Sequence, residues 1–234
     1  MTSDDISKEL KKLANPERAG NLQRFFKTGP GDYGEGDIFL GIKVPHLRNY
    51  AKKFSGTSCE EAAKLLKSRL HEERMFALFI LINAFSRGDD EVREKIYGIY
   101  MAHTEYINNW DLVDCSAGHI VGAFLLKRDR APIYVLARSS SLWEKRIAII
   151  STSRFIATND FNDTLKISEI LIDDRHDLIH KAVGWMLREV GKRDKATEKV
   201  FLDRYYKVMP RTMLRYAIEK FPCMERTEYL KGRI

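Results

Sequence analysis

Apolar positions recur at spacings of three and four through residues 61–85, 91–101, 110–126, 142–157, 164–172, 178–190, 197–208 and 212–221, the period of a helix with one buried face. The two-residue alternation of strands hardly appears, so the chain is predicted to be all-α. Clusters rich in Gly, Pro, Asn and Asp punctuate the pattern at 86–90, 127–132, 157–160, 173–177 and 191–194. Linkers this short make consecutive helices antiparallel neighbours. A looser regularity lies on top: Arg74 with Ala77, Arg146 with Ala148, Lys181 with Ala182 and Arg215 with Ala217, the basic positions 72, 35 and 34 residues apart. A unit of about 35 residues is the length of a helical-hairpin repeat. The expected architecture is a solenoid of stacked antiparallel helix pairs forming one domain over 1–234; the alternative is an irregular helical domain with coincidental spacing.

Polar residues on the wrong side of these stripes carry the functional signal. In 178–192, LIHKAVGWMLREVGK, the stripe is Ala182, Val183, Met186, Leu187 and Val190. Steps of about 100° put Lys181, Trp185, Arg188 and Lys192 on the other side. A tryptophan among cations suits either a second helix interface or a nucleic-acid surface, where cations meet phosphates and the ring stacks. Segment 142–157 is apolar nearly all round, interrupted by a line through Arg146 and Ser153. A buried arginine needs a partner, so Arg146 is expected to meet a carboxylate or a phosphate. Arg154 is a further phosphate candidate.

Residues 108–122 read NNWDLVDCSAGHIVG. Val113, Ala117, Ile120 and Phe124 make the stripe, and Asp114 projects about a quarter turn from its centre with Trp110 between. Asp114 is therefore expected at the edge of the core, either in a salt bridge or kept for chemistry. Asp111 reads more simply as complementing the helix dipole. Gly118 and Gly122 weaken the helix, which suggests that another backbone or a ligand comes close.

Composition adds limits. Lys+Arg 40 against Asp+Glu 33 gives a formal +7, which fits a polyanionic partner or a soluble surface with a basic excess. Cys59, Cys115 and Cys223 show no CxxC spacing, so neither a disulfide framework nor a zinc ribbon is expected, and a reducing, cytoplasmic setting is. The acidic start and the lack of a long apolar run suggest neither a secretory signal nor a membrane span. GPGDYG at 29–34 satisfies G-x-G-x-x-G, yet no strand precedes it and Asp32, Glu35 and Asp37 would repel a pyrophosphate, so it reads as a loop. HDLIH at 176–180 imitates a zinc helix without a third ligand, His176 falling near a helix start. Cys115 and His119 lie one turn apart with no orienting group and read as structural.

The blocks FFK (25–27), DIFLGIKVPHLRNYAKKF (37–54), NNWDLVD (108–114), WEKRIAII (143–150) and KAVGWMLREVGK (181–192), in order over nearly the whole chain, resemble the AlkD-type DNA alkylation repair glycosylases. The resemblance implies a superhelix of HEAT-like, armadillo-like repeats whose basic concave face binds double-stranded DNA; for oligomeric state, monomer is the default expectation. It also implies removal of cationic N3- and N7-alkylated purines without metal or cofactor. Residue by residue it puts the catalytic carboxylate on Asp114, flanking aromatics on Trp110 and Trp185, and a DNA-binding arginine on Arg146. Arg154, Arg188, Lys181 and Lys43 match basic, DNA-facing positions. Phe25 stands where such enzymes carry a tyrosine, and Asn109 where they carry an aromatic. The rival classes are a catalytically silent nucleic-acid-binding repeat protein and a protein-interaction scaffold.

Overall fold

A computed structural model describes residues 1–234. The chain is all-α, its one extended pairing an isolated bridge between Ile38 and Leu70. It forms two compact units, Met1–Ser116 and Ala117–Ile234.

The first unit contains α1 (Ser3–Lys12), α2 (Pro16–Phe25), α3 (Val44–Lys53), α4 (Cys59–Leu66), α5 (His71–Arg87), α6 (Asp90–Met101) and α7 (Trp110–Ser116). Helix starts follow capping chemistry: the Thr2, Asn15, Ser58 and Asp89 side chains each accept a backbone N–H of the first turn, and Pro16 sits where its missing N–H costs nothing. Helix α5 is the unit's axis, buried from His71 to Leu81, with α3, α4, α6 and α7 packed on it. Residues 61–85, continuous in the apolar pattern, are two helices parted by the 67–70 turn, where Leu70 pairs with Ile38. The pattern missed α1, α2 and α3 because they bury little: α2 has no fully buried residue and α3 only Leu47 and Ala51.

The second unit begins with a π-helical turn (Gly118–Gly122), then α8 (Ala123–Leu125), α9 (Ala131–Ala137), α10 (Leu142–Ser151), α11 (Ser153–Ile156), α12 (Asn162–Ile170), α13 (Asp177–Gly191), α14 (Lys195–Tyr205), α15 (Arg211–Ala217) and α16 (Cys223–Lys231). Helix α13 is its centre, touching α10, α12, α14 and α15. Arg146, Lys181 and Arg215 lie on α10, α13 and α15, which pack in series, so the 35-residue spacing marks successive layers in this unit. The π turn, closed by the Gly122 N–H donating to Ala117 O at 2.9 Å, explains the two glycines. A Cβ on Gly122 would lie 2.1 Å from Ser151 O, and one on Gly118 2.5 Å from Ser153 Oγ. The expected close approach is thus to α10 and α11, through backbone at Gly122 and a side chain at Gly118. That stretch is itself two helices, broken where the Thr152 hydroxyl turns back onto Ile149 O at 2.7 Å.

Candidate functional site

In the first unit the site is built around the start of α7. Trp110 is its first residue and Asp114 follows one turn on, both half-buried. Val113, Ala117, Ile120 and Phe124 are buried as expected of the stripe, and Leu112 beside them is fully buried too. Trp110 stacks on Phe26 (centroids 5.2 Å apart, planes 18° apart), Phe26 on Phe39 (5.0 Å, 21°) and Phe39 on the His71 imidazole (4.4 Å, 24°). Phe25 meets Trp110 edge-on at 6.1 Å while remaining 64% exposed. The ring order fixes the plane of Trp110 before any ligand arrives.

Beneath the rings runs a chain of buried charges that sequence reading missed. Asp37 is buried and accepts hydrogen bonds from Arg74, from His71 Nδ1 at 2.9 Å and from Asn109 Nδ2 at 3.1 Å. His71 Nε2 donates to Asp111 Oδ2 at 2.8 Å, and Asp111 Oδ1 accepts the Leu112 N–H at 2.9 Å. Asn109 Oδ1 accepts the Trp110 N–H at 2.8 Å. Burial opposes charge on His71, but the bonds to Asp111 and Asp37 outweigh it and lift its pKa to about 9. The ring is an imidazolium at neutral pH, donating from both nitrogens. Burial likewise opposes ionisation of Asp37 and is outweighed by His71 and Arg74, which hold its carboxyl below the usual value.

Two expectations change. Asp111 does more than complement a dipole, because it ties the first turn of α7 to the first residue of α5. Asn109 is no vacant aromatic position: fully buried, it clamps Trp110 to Asp37. The available signal was HEER at 71–74, four polar residues, all buried, opening a helix whose next eight residues, MFALFILI, are apolar. Glu72 in that run accepts the N–H groups of Leu40, Gly41 and Ile42 at 2.8, 2.7 and 3.1 Å. This fixes the strip leading into exposed Lys43. Glycine is required at Gly41, where φ is +83° and a Cβ would lie only 2.2 Å from Asn15 O.

Cys115 donates to Leu112 O at 3.4 Å and burial pushes its thiol pKa up, as suits a structural residue rather than a nucleophile. Burial also raises the Tyr100 phenol, whose hydroxyl meets Ser116 Oγ at 3.0 Å beneath α7. The 29–34 segment is a loop and His176 caps α13, both as expected.

The second unit holds the remaining candidates. Arg146 is buried on α10 and donates from Nη1 to Leu178 O; Arg154 is exposed on α11. On α13 the predicted division holds: Ala182, Val183, Met186, Leu187 and Val190 are buried, Lys181, Trp185 and Arg188 half-buried, and Lys192 exposed. The cations are not a bare row, however. Lys181 pairs with Asp177 at 2.7 Å, Lys192 with Glu189 at 2.7 Å, and Arg188 with Glu219 and, at 3.6 Å, Glu189. Trp185 Nε1 donates to the same Glu189 carboxylate at 3.1 Å.

These features define an all-helical protein with an aromatic–carboxylate pair on a clamped helix start and arginines on a second helical unit. The fold is that of a solved structure described as a predicted DNA alkylation repair enzyme from Enterococcus faecalis, with TM-score 0.70 and 16% identity over 90% of this chain and 98% of that one. The DNA alkylation repair enzyme family matches residues 6–221, and the chain belongs to that family. No curated protein matches. No helix is long and apolar enough to cross a membrane.

Proposed function

We propose that the protein is a monofunctional DNA glycosylase that hydrolyses the N-glycosidic bond of cationic N3- and N7-alkylated purines, such as 3-methyladenine and 7-methylguanine, in duplex DNA. The observation that carries this reading is the start of α7. In a chain of the alkylation repair family, Trp110 and Asp114 stand one turn apart on a helix held by ring stacking and by the Asn109–Asp37–His71–Asp111 chain.

An alkylated purine already carries positive charge. When the C1′–N bond breaks, its electron pair goes to the base, which leaves neutral and needs no general acid. Positive charge develops on the sugar instead, where one carboxylate can stabilise it, unlike the two needed for ordinary glycosides. Asp114 supplies that carboxylate and orients the water whose oxygen bonds to C1′ and whose proton passes to solvent. Trp110 and Trp185 offer aromatic faces to the cationic lesion and sugar, each contact contributing roughly 0.5–2 kcal/mol. Arg146, Arg154, Arg188, Lys181 and Lys43 act on phosphates, and Phe25 adds an apolar contact without the hydroxyl of a tyrosine. The α13 pairs are largely surface pairs, weak enough for a phosphate to replace a carboxylate. The same reading takes residues 1–234 as one HEAT-like repeat domain, a monomer working inside the cell without metal or cofactor.

The test separates binding from chemistry. Asp114→Asn is expected to bind methylated duplex within about twofold of the parent while releasing base at least ~100-fold more slowly. Arg146→Ala is expected to weaken both. Unchanged release by Asp114→Asn would refute the assigned mechanism.

A further inference from the structure

The first unit contains an open cavity of about 380 Å³ between α2, the 39–45 strip, α3 and the start of α5. Its walls are Phe25, Phe26, Phe39, Ile42, Leu47 and Met75, and His71 and Asp111 supply its polar edge. Arg18 and Lys43 also line it. Neither forms an ion pair, in contrast to the paired cations of α13. Phe25 borders the cavity at 64% exposure, although burying a ring of that size is normally favourable.

An apolar, aromatic-walled slot with two unpaired cations fits a ligand that has flat apolar faces and anionic margins. A nucleotide within a strand has that form: its base stacks on an aromatic ring while the flanking phosphates meet cations. The volume lies near the lower end of the range for small-molecule pockets, which suits one base. Both His71 nitrogens are committed to Asp37 and Asp111, so the ring adds no free donor. The Asp111 carboxylate keeps acceptor capacity for an exocyclic amino group. Edge atoms directed at the open mouth stay hydrated.

We propose that this cavity is a stacking site for a single unpaired nucleobase of bound DNA, with Phe25 as its platform and Arg18 and Lys43 on the adjoining phosphates. Asp114 does not line the cavity and the proposal requires no chemistry, but it rests on the reading that the protein binds DNA.

The experiment compares the affinities of the full chain for three duplexes that differ only at the centre: fully paired, carrying one bulged adenosine, or carrying the same bulge with the base removed. The abasic bulge keeps any bend in the DNA and isolates the base. The bulged adenine is expected to bind about tenfold more tightly than the abasic bulge, the order of one stacked base. Phe25→Ala, which removes the platform, and Leu22→Trp, which puts a large ring on the cavity lining where Leu22 stands, should each bring that ratio to within about twofold of unity. Thermal denaturation would verify that both variants fold. Arg18→Ala with Lys43→Ala should weaken binding to all three duplexes and flatten its salt dependence. Equal binding of the two bulges, or a ratio that survives both Phe25→Ala and Leu22→Trp, would overturn the proposal. Release of alkylated base assayed on the same preparation keeps the two readings apart. Release with equal bulge binding removes only the nucleobase site, whereas failure to bind any duplex removes both.

Discussion

Trp110 and Trp185 are the same residue type proposed for the same kind of contact, yet the two units hold them differently. Trp110 lies on a stack of three further rings, its backbone N–H clamped by fully buried Asn109 and its helix tied to α5 through an imidazolium between two carboxylates. Trp185 is fixed through one bond to Glu189, a carboxylate shared with two surface cations. The first arrangement is built before ligand binds; the second can exchange partners when a phosphate arrives. Buried charge differs in the same way. In the first unit Asp37, His71 and Arg74 pair with one another, whereas in the second Glu198 is buried against Gly191 and burial, opposed by Lys195, lifts its pKa to about 8.

The first unit's arrangement is most vulnerable at Asp37. Asp37→Ala leaves Arg74, His71 and Asn109 without their shared acceptor, and chemical denaturation should show a loss of about 3–5 kcal/mol. A loss below about 1 kcal/mol, the scale of a surface pair, would mean that the chain is not what holds the first unit. Next in size, Trp110→Ala should slow base release by roughly tenfold, the order of one lost aromatic contact to a cation. Trp185→Ala should act more through DNA affinity.

Stability against pH separates the two units further. His71 has a folded pKa raised above its ordinary 6.5, so its contribution is complete below 6.5 and is lost as pH rises through about 9. Glu198 is also raised, from 4.5 to about 8, so its contribution is complete below 4.5 and is lost as pH rises through 8. Asp37 is lowered and acts at the acid end, its contribution being present above 3.8 and lost as pH falls through its folded value. Melting temperature should therefore fall from about pH 4.5 to about pH 9, most steeply between 6.5 and 8 where the two ranges overlap, with Glu198→Gln removing the part that lies below 6.5. A flat profile would contradict both assignments. The smallest effect belongs to Glu189→Gln. It should change stability by less than about 1 kcal/mol while raising DNA affinity at low salt about two- to threefold, because a carboxylate that competes with phosphate is gone.

What could be read from the sequence divides along similar lines. Trp110, Asp114, Arg146 and Trp185 stood out by their place relative to a local apolar stripe, Arg146 interrupting one, Asp114 and Trp110 at the edge of one and Trp185 opposite one, and helical period makes such placements visible within a dozen residues. Helices α10 to α15 of the second unit and their layered spacing were legible for the same reason, while α9 and α16 fell outside the pattern. The Asp37 chain was not, since its bonded members lie up to 72 residues apart and each has an ordinary local explanation: Asp37 in a loop, His71 at a helix start, Asn109 before one. Helices α1 to α3 escaped because they bury too little to print a period. The α13 ion pairs depend on which rotamers meet across neighbouring helices, as Arg188 meets Glu219, and periodicity carries no information about that.

The most direct test is release of free 7-methylguanine from methylated duplex DNA by the protein and its Asp114→Asn variant side by side. Release by the parent and release at least ~100-fold slower by the variant is the predicted result. No release by either, with 3-methyladenine-containing DNA intact as well, would contradict it and make Asp114 a structural residue of a nucleic-acid-binding repeat protein.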